Sequence, residues 1–505
     1  MAREPLYRYW GKARPQREEV GYHLLAYHSL DVVAVARAWL DMSSSLSRTI
    51  VGTHQPKHVR AWVLFFIALH DLGKVDVRFQ RKAPEVLMQL DPYPDHDCSR
   101  LPEQPFHHGI EGYRLADQEF ENWVESEDED ELEDILDAWR PWLAAVAGHH
   151  GEIPTSVPET DPSIASIPPA LRTLDRQARK RWVQALESLF LLPVGLDLDA
   201  LPPSPPPLLA GFCAVCDWLG SNAEDGYFPY LSSTMDLADY LGCRDARARA
   251  ILHDFGLVRD CLQVGGMATL FPKREPRQVQ CLVEALDVAP GLVLVEAPTG
   301  SGKTEAALAQ ASRLLAASLA DSIVFALPTQ ATANAMLARL EEVATVLFPG
   351  EDGTNLVLAH GKARFHPRFK DLKRVASIGT AQGSEEALVQ CAQWLSQSRK
   401  RSFLGQIGVC TVDQVLVSVL PVRHGFVRSF GIGRSVLIID EVHAYDSYMY
   451  GLLGEVLQRQ RQAGGSAILL SATLPHHQRQ RLLDHWDRGA TLETMADYPL
   501  LTQFS

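Results

Sequence analysis

The chain has 505 residues, of which 46% are hydrophobic and 22% charged, a length and balance that fit two or three globular domains and exclude a single small module. The net charge is −14, yet ten acidic and no basic residues lie between Glu121 and Asp137. The charge therefore argues against a protein that binds nucleic acid over its whole surface, but it leaves room for a local groove.

No stretch predicts a membrane span or a secretion signal. The first twenty residues lack an apolar run of signal-peptide length, and the apolar stretch Ala61–Leu69 is too short to cross a bilayer. The eight cysteines are scattered, and the pair Cys213 and Cys216 has no second pair at zinc-ribbon spacing, so we expect reduced thiols. These features predict a cytoplasmic protein with no membrane partner.

Residues 1–264 are predicted to form a mostly helical domain. Apolar residues recur there at three- and four-residue spacing. The clearest helical stretches are Leu24–Leu40, Val59–Leu72, Trp139–Gly148 and Leu208–Leu219. The proline-rich segment 202–207 cannot be helical, and we interpret it as a stiff loop inside this domain, because the helix after it carries Asp217.

A sparse series of histidines and aspartates runs through this domain. Its members are His28, His70, Asp71, His108, His149, His150 and Asp217. Imidazole and carboxylate ligands together suit iron, manganese, nickel or cobalt better than magnesium alone. Asp71 is placed to bridge two such ions, which can activate water and clamp a phosphodiester. Lys74 follows Asp71 by three residues in the same predicted helix, near enough to meet a substrate phosphate.

Each member of the series also has an ordinary structural interpretation. A single buried histidine is more often a hydrogen-bonded core residue than a ligand, and an HD dipeptide occurs by chance. The paired His149 and His150 could simply cap a helix. His107 competes with His108 as the member at that position.

From about residue 265 the pattern changes to short apolar runs that alternate with helical stretches. The runs are Leu292–Val295, Ile323–Leu327, Val436–Ile439 and Ile468–Leu470. Such runs suit strands that are buried on both faces of a parallel sheet. We therefore predict an α/β domain over residues 265–505, with ligands at the carboxyl ends of its strands.

A phosphate-binding loop follows the first predicted strand. It reads Ala297-Pro298-Thr299-Gly300-Ser301-Gly302-Lys303-Thr304. Its backbone N–H groups and the following helix can cradle the phosphates of ATP, while Lys303 reaches the β- and γ-phosphates and Thr304 the Mg²⁺ ion. Asp440 and Glu441 end another predicted strand, where Asp440 can hold Mg²⁺ and Glu441 can polarise the attacking water.

Together with Ser471-Ala472-Thr473, these segments resemble motifs I, II and III of a superfamily 2 DExH helicase. Pro276–Gln280 resembles the Q motif of that family, which implies that Gln280 reads the adenine edge. Pro328–Gln330 resembles motif Ia and Thr411–Gln414 resembles motif Ic. The resemblance implies that Pro328, Thr329 and Thr411 lie along a DNA backbone.

The histidine and aspartate series resembles the HD phosphohydrolase superfamily, whose HG element favours His108 over His107. An HD domain ahead of a DExH helicase resembles the CRISPR-associated nuclease–helicase of type I interference systems, with subtype E expected. The phrases that carry this resemblance are His28–Val32, His70–Lys74, Gly148–Gly151, Asp217–Asn222 and Asp440–Asp446. It implies an all-α HD metal phosphohydrolase domain over residues 1–264, followed by an α/β RecA-like helicase lobe with a parallel sheet.

The same resemblance implies a metal-dependent nuclease for single-stranded DNA, coupled to an ATP-dependent 3′-to-5′ helicase. Its catalytic residues would be Asp71, Lys74 and Glu441. Its partners would be ATP and the crRNA-guided surveillance complex Cascade, in antiviral defence. The sequence ends 32 residues after Thr473, too few for a second helicase lobe of about 100–150 residues. We therefore expect either a fragment of a longer protein or a second lobe on a separate chain, and an incomplete ATPase.

Two other functions remain open. One is an HD nucleotide phosphohydrolase that an ATP-binding lobe regulates, and a tight nucleotide pocket would favour it. The other is a non-catalytic DNA-binding adaptor, against which the complete ligand series and an intact Lys303 both argue.

Overall fold

In the computed structural model the chain folds into two compact units. The first holds the residues up to Asp41 and Val51–Ile251, and the second holds Met42–Ile50 and Leu252–Ser505. The structure describes residues 4–13, 21–94, 96, 98, 101, 106–126, 128–157, 159, 162–223, 226–231, 233–350, 353–363, 366–379, 389–390, 395, 401–490, 492 and 498–504. Among these residues, no helix is both long and apolar enough to cross a membrane.

The first unit is helical apart from an N-terminal hairpin that was not predicted from the sequence. Strands β1 (Trp10–Ala13) and β2 (Tyr22–Leu24) pair antiparallel. The helices up to residue 254 are α1 (Leu25–Met42), α2 (Ser44–Val51), α3 (Pro56–Ala68), α4 (Val77–Gln80), α5 (Pro84–Leu90), α6 (His108–Glu119), α7 (Glu129–Ala147), α8 (Pro169–Leu186), α9 (Leu209–Gly220) and α10 (Leu237–Asp254).

Short turns of other helix types connect these helices. Single 3₁₀ turns span Pro5–Arg8, Leu72–Lys74, Phe120–Asn122, Gly148–His150, Pro162–Ser166 and Leu192–Val194, and a π turn spans Glu187–Leu191. The segment 202–207 is an irregular loop of the first unit, as predicted, and the carbonyl of Pro203 accepts a hydrogen bond from Trp142 Nε1 at 2.7 Å.

The four predicted helices are present, but two of them have different ends. Helix α7 begins ten residues before the predicted start at Trp139. The side chain of Asp128 caps it by accepting hydrogen bonds from the backbone N–H groups of Asp130 and Glu131. Acidic residues in a first turn interact favourably with the helix dipole, so most of the acidic run is an exposed helix start.

Helix α3 is shorter than predicted, and His70 and Asp71 do not lie in it. The helix ends at Ala68, and the chain tightens into bonds between residues three apart, including His70 N–H to Ile67 and Lys74 N–H to Asp71. Such tightening is common where an α-helix ends. The prediction that Asp71 and Lys74 lie in one α-helix was therefore wrong, although the 3₁₀ turn still brings their side chains together.

Aromatic side chains form the core of the first unit. Phe66 stacks on Trp142 with ring centroids 4.9 Å apart, and Trp139 meets Phe66 edge-on at 5.0 Å. Aromatic pairs in these arrangements add to the stabilisation that burial alone provides. The buried Cys213 and Cys216 lie on α9 as free thiols.

The second unit is an α/β domain. Its strands are β3 (Leu292–Glu296), β4 (Ser322–Leu327), β5 (Thr354–Ala359), β6 (Val389–Gln390), β7 (Ile407–Thr411), β8 (Ser435–Ile439), β9 (Ser466–Ser471) and β10 (Leu500–Phe504). The helices are α11 (Met267–Leu270), α12 (Gln278–Glu284), α13 (Lys303–Ala316), α14 (Gln330–Leu347), α15 (Pro367–Gly379), α16 (Val412–Leu416), α17 (Gly425–Gly433), α18 (Ser447–Gln462) and α19 (His476–Trp486), with 3₁₀ turns at Val417–Val419 and Val442–Ala444.

The sheet has the order β10-β3-β9-β8-β4-β7-β5-β6, and every strand pair is parallel except β10 with β3. The four predicted strands are β3, β4, β8 and β9, each fully buried. Because parallel strands end at one edge, the segments after β3, β4, β7, β8 and β9 share that edge. This edge positions the nucleotide-binding segments.

Residues 42–50 belong to the second unit although they stand between two helices of the first. The hydroxyl of Ser43 donates to the carboxylate of Asp321, at 2.8 Å from either oxygen. The guanidinium of Arg48 donates to the carbonyls of Ser318 and Leu319 at 3.0 and 2.7 Å. Polar contacts at both ends of this segment thus hold it on the helicase-like unit.

Candidate metal centre and phosphate-binding loop

The structure brings all seven members of the histidine and aspartate series together. They form two groups, in each of which the ligand atoms lie within 4.8 Å of one another: Asp71, His108, His149 and His150, and His28, His70 and Asp217. His108, and not the exposed His107, belongs to the first group. Five segments that are distant from one another in the sequence supply these residues, and the fold brings them together.

Asp71 stands between the two groups. Its Oδ1 lies 3.2 Å from His108 Nε2 and 3.6 Å from His149 Nε2. Its Oδ2 lies 3.1 Å from His28 Nε2 and 3.3 Å from His70 Nε2. One carboxylate oxygen therefore faces each group, which is the arrangement that a carboxylate bridging two cations requires.

Backbone carbonyls orient two of the imidazoles. His70 Nδ1 is 2.8 Å from the carbonyl of Ile67, and His149 Nδ1 is 2.7 Å from that of Val146. A carbonyl can only accept, so Nδ1 must carry the proton, and Nε2 then presents a lone pair to the centre. Hydrogen bonds of this kind fix the tautomer of metal-ligating histidines.

The donor atoms fit divalent cations. The Nε2 atoms of His28 and His70 are buried and have no hydrogen-bond partner among the described residues. The Nε2 atoms of His108 and His150 approach each other to 2.6 Å. Buried polar atoms are normally paired, so converging nitrogen lone pairs beside two carboxylates are best explained by metal ions.

Electrostatics favour the ligand forms of most of these side chains, whereas the charge of Asp71 outweighs burial and raises the pKa of His70. Burial, with a contribution from the charge of Lys12, lowers the pKa of His28 to about 4, so the imidazole is neutral at pH 7. Burial opposes ionisation of Asp71, but Lys74 and His70 outweigh it and hold the pKa of that carboxyl well below its usual range. Neutral imidazoles and an ionised carboxylate are the forms that bind metal.

Lys74 is engaged within the protein. Its ammonium lies 2.5 Å from Asp71 Oδ2 and donates to the carbonyl of Gly11 at 3.1 Å, and the side chain is buried. In this structure Lys74 holds the bridging carboxylate in place. Its predicted contact with a substrate phosphate stays a prediction.

Glycines set the spacing between the segments that carry the ligands. A Cβ on Gly73 would lie 2.0 Å from the carbonyl oxygen of His108. One on Gly109 would lie 2.6 Å from the carbonyl oxygen of Ala147, and one on Gly220 would lie 2.8 Å from the nitrogen of Val32. Backbone therefore meets backbone around the centre, which leaves little freedom for the ligands to shift.

Gln80 ties strand β1 to the turn that carries Asp71, and it was not among the residues predicted from the sequence. Its amide donates to the carbonyls of Trp10 and Lys74 at 3.0 and 2.8 Å, and its oxygen accepts from the Trp10 N–H at 3.0 Å. The side chain is fully buried. Gln80 lies outside the motifs recognised in the sequence, so no local pattern drew attention to it.

The phosphate-binding loop has the expected strand–loop–helix setting. Gly300 and Gly302 adopt φ values of +80° and +94°, and α13 begins at Lys303. Lys303 Nζ donates to the carbonyl of Ala297 at 2.6 Å. Ser301 and Thr304 are half-buried and Thr299 is exposed on the loop. Glycine tolerates these left-handed conformations, which turn the loop around a phosphate.

Gln280 lies against this loop. Its amide donates to the carbonyl of Gly302 at 3.2 Å, and its oxygen accepts from the Arg277 N–H at 2.9 Å. A Cβ at Gly302 would lie 2.2 Å from the Gln280 nitrogen and would displace that side chain, while the φ of +94° itself favours glycine. In this structure Gln280 braces the loop, and its contact with adenine stays a prediction.

Asp440 and Glu441 stand at the same edge of the sheet. Burial and the charge of Glu441 raise the pKa of Asp440. Glu441 adopts a left-handed φ of +54°, a strained conformation for a non-glycine residue that is common at functional sites. His443 Nδ1 lies 3.2 Å from both Glu441 Oε2 and Ser471 Oγ, so it links the acidic pair to the Ser471–Thr473 segment.

The predicted DNA-contacting residues differ in accessibility. Pro328 is half-buried and Thr329 is exposed, where its hydroxyl caps α14 by accepting from the Thr332 N–H. Thr411 is buried at the start of α16, with 5% of its surface exposed. A DNA contact is therefore easier to place at Thr329 than at Thr411, and both remain predictions.

Two family models match the chain, one in its first half and one in its second. Residues 10–225 match "Cas3, HD domain", and residues 275–482 match "DEAD/DEAH box helicase". The CRISPR-associated endonuclease/helicase Cas3 of Escherichia coli (strain K12) is 48% identical over 98% of this chain and 57% of its own length.

Solved structures agree with the fold. A crystal structure of T. fusca Cas3 with AMPPNP superposes with a TM-score of 0.77 at 25% identity, over 99% of this chain and 55% of that chain. A CRISPR RNA-guided surveillance complex in a pre-nicking state contains a chain that matches with a TM-score of 0.64 at 24% identity, over 98% of this chain and 52% of that one. The chain thus spans little more than half the length of these relatives.

Proposed function

Because the chain belongs to the Cas3 family, with a Cas3 HD domain ahead of a DEAD/DEAH box helicase domain, we propose that it cuts single-stranded DNA at a two-metal centre and couples the cutting to ATP-driven movement along DNA. The observation that carries this proposal is Asp71, which turns one carboxylate oxygen toward each of two groups of converging ligands. A bridging carboxylate of this kind suits phosphodiester hydrolysis.

In the proposed reaction, the side chains of the two groups hold the cations and fix their separation. Bound cations would supply a hydroxide at neutral pH and neutralise charge on the phosphate. Lys74 keeps Asp71 ionised and in place from its position 2.5 Å away. The Nδ1 hydrogen bonds of His70 and His149 keep both rings turned toward the centre.

The native ions are proposed to be two divalent transition metals from the set iron, manganese, nickel and cobalt. Five imidazoles and two carboxylates make up the donor set, and imidazole favours these metals over magnesium. Magnesium is assigned instead to the nucleotide, at the all-oxygen pair of Thr304 and Asp440.

The second unit is proposed to bind ATP at the loop that ends in Lys303 and Thr304. Lys303 would exchange the Ala297 carbonyl for the β- and γ-phosphates, and Glu441 would orient the attacking water. Pro328, Thr329 and Thr411 are proposed as contacts to the DNA backbone, which grip phosphate without reading sequence.

We propose that the DNA reaches this enzyme through the crRNA-guided surveillance complex Cascade, in the cytoplasm, as part of antiviral defence. Membership of the Cas3 family supports this assignment.

The test is cleavage of circular single-stranded DNA by the EDTA-treated protein after addition of Mn²⁺, Co²⁺, Ni²⁺ or Mg²⁺, with and without ATP. Cutting should require a transition metal and proceed without ATP, because all seven proposed ligands lie in the first unit. Asp71→Ala should abolish it, whereas Lys303→Ala should weaken ATP binding and leave it intact. Equal cutting by the wild type and Asp71→Ala would overturn the assignment.

The same assay separates the competing functions. Deoxynucleoside triphosphates added in place of DNA would be hydrolysed if the centre were a nucleotide phosphohydrolase. DNA binding without hydrolysis of any substrate in any metal would indicate an adaptor.

A further inference from the structure

Lys74 is not free to meet a phosphate. Its ammonium contacts both the Gly11 carbonyl and the Asp71 carboxylate, and 4% of its surface is exposed. Reaching a substrate would leave a buried carboxylate without its cation, which is costly in a protein interior. A cationic side chain that contacts the phosphate beside the metal ions would therefore be a residue other than Lys74.

Strand β1 contains a bulge next to the centre. Side chains of a regular strand alternate between its faces, which would turn Gly11 and Lys12 in opposite directions. Here Trp10 pairs with Leu24 and Lys12 pairs with His23, so Gly11 is an extra residue on β1. A bulge of this kind re-aims the side chains around it and is frequent beside active sites.

The bulged part of β1 lies directly against the metal ligands. A Cβ on Gly11 would lie 3.1 Å from His28 Cβ and 3.5 Å from His28 Cδ2. Lys12 follows it, half-buried, and its ammonium makes no hydrogen bond or ion pair with any residue that the structure describes. The carbonyl of Gly11 also accepts a hydrogen bond from Lys74 at 3.1 Å, so this part of β1 lies against both a ligand and the lysine that holds Asp71.

We propose that Lys12 binds the phosphate of the DNA strand at the metal centre, while Lys74 is a positioning residue for Asp71. An ammonium on a flexible stem suits this task, because it meets phosphate as a point charge without imposing one geometry. The inference rests on the proposed nuclease function. It assigns to Lys12 the phosphate contact that was predicted for Lys74.

The test compares Lys12→Met, which keeps length but removes the charge, with Lys12→Arg, which keeps the charge. Lys57→Met is the matched control, because Lys57 is exposed at the start of α3, roughly 20 Å along the chain path from His70. Metal content and the visible absorption spectrum of the Co²⁺-loaded protein are measured for each variant. Cutting of a single-stranded oligonucleotide then gives kcat and KM at several salt concentrations.

Lys12→Met should bind Co²⁺ with the wild-type spectrum and stoichiometry, yet lose about 10- to 100-fold in kcat/KM, the effect of one charge-assisted hydrogen bond. The slope of log kcat/KM against log salt concentration should become shallower by about 0.7, as one phosphate contact is lost. Lys12→Arg should recover most of the activity, and Lys57→Met should match the wild type. An altered Co²⁺ spectrum in Lys12→Met, or an unchanged salt slope, would overturn the proposal.

Failure of the nuclease assignment gives a different result. If the metal-loaded wild type binds DNA without cutting it, the proposed function fails, and the salt dependence of binding can then be measured directly on the uncut strand. A shallower slope for Lys12→Met would still support the phosphate contact, whereas equal slopes would exclude it.

Discussion

Gly73→Ala should damage the metal centre without touching a ligand. The added methyl group would lie 2.0 Å from the carbonyl oxygen of His108, 2.6 Å from the nitrogen of Gly112 and 2.9 Å from the carbonyl carbon of His108. All three are backbone atoms of α6, so no side chain can swing aside. Restoring a contact of about 3.4 Å requires α6, or the turn that carries Asp71, to move by roughly 1 Å or more. Functional sites tolerate displacements of about 0.5 Å.

His108 and Asp71 stand on the two segments that Gly73→Ala would push apart, and their ligand atoms are 3.2 Å apart. We expect metal affinity to fall by about 10- to 100-fold, as for lost support of a ligand, and stability to fall by about 1–3 kcal/mol from overpacking. The assay is Co²⁺ titration followed by absorption, with urea unfolding in EDTA for stability.

Gly242→Ala is the matched control, because a Cβ there meets no atom within 4 Å and Gly242 lies within α10. It should leave metal binding unchanged and stabilise the helix by about 0.5–1 kcal/mol. Wild-type Co²⁺ affinity in Gly73→Ala would refute the argument that backbone contact fixes the ligand geometry.

Two further predictions concern the support of the centre. Gln80→Leu removes three buried hydrogen bonds and leaves the N–H and carbonyl of Trp10 and the carbonyl of Lys74 unpaired, so urea unfolding should show a loss of about 2–5 kcal/mol. A loss below about 1 kcal/mol would show that water replaces these bonds. Burial, chiefly, lowers the pKa of His28 and of His150 from 6.5 to about 4, so between these values both groups bind fewer protons in the folded chain than in the unfolded one, an effect that the raised pKa of His70 offsets in part. The metal-free protein should therefore lose stability as pH falls from about 6.5 to 4, by an amount on the order of 1–3 kcal/mol, and unfolding free energies that stay flat across this window would contradict it.

The parts of this protein that could be predicted from its sequence are those in which residue type alone specifies chemistry. Strands β3, β4, β8 and β9 are apolar throughout most of their length, and a glycine-rich loop after the first of them has few structural uses besides phosphate binding. The histidine and aspartate series, which the fold brings together, could be picked out for the same reason, because these residue types commonly bind metal.

What could not be predicted from the sequence depends on contacts between distant segments. Strand β5 begins with Thr354 and Asn355, both buried, because Asn355 N–H donates to Gln406 and its side chain donates to the carbonyl of Gly256. The rest of β5 is an apolar run, residues 356–359, that is as long as two of the runs predicted as strands, so only its polar start depends on these distant contacts. The turn after α3 and the bulge at Gly11 likewise arise from tertiary pairing, so neither the buried position of Lys74 nor the placement of Lys12 was foreseeable.

Residues 42–50 show that the two units are interlaced along the chain and not simply joined end to end. A piece that ends anywhere between residues 51 and 252 would contain α2 but lose Asp321, Ser318 and Leu319, to which Ser43 and Arg48 are bonded. Leu46 and Ile50, now fully buried, would then face water beside a broken set of polar contacts. An isolated first unit would therefore expose apolar side chains of this short helix that the whole chain buries.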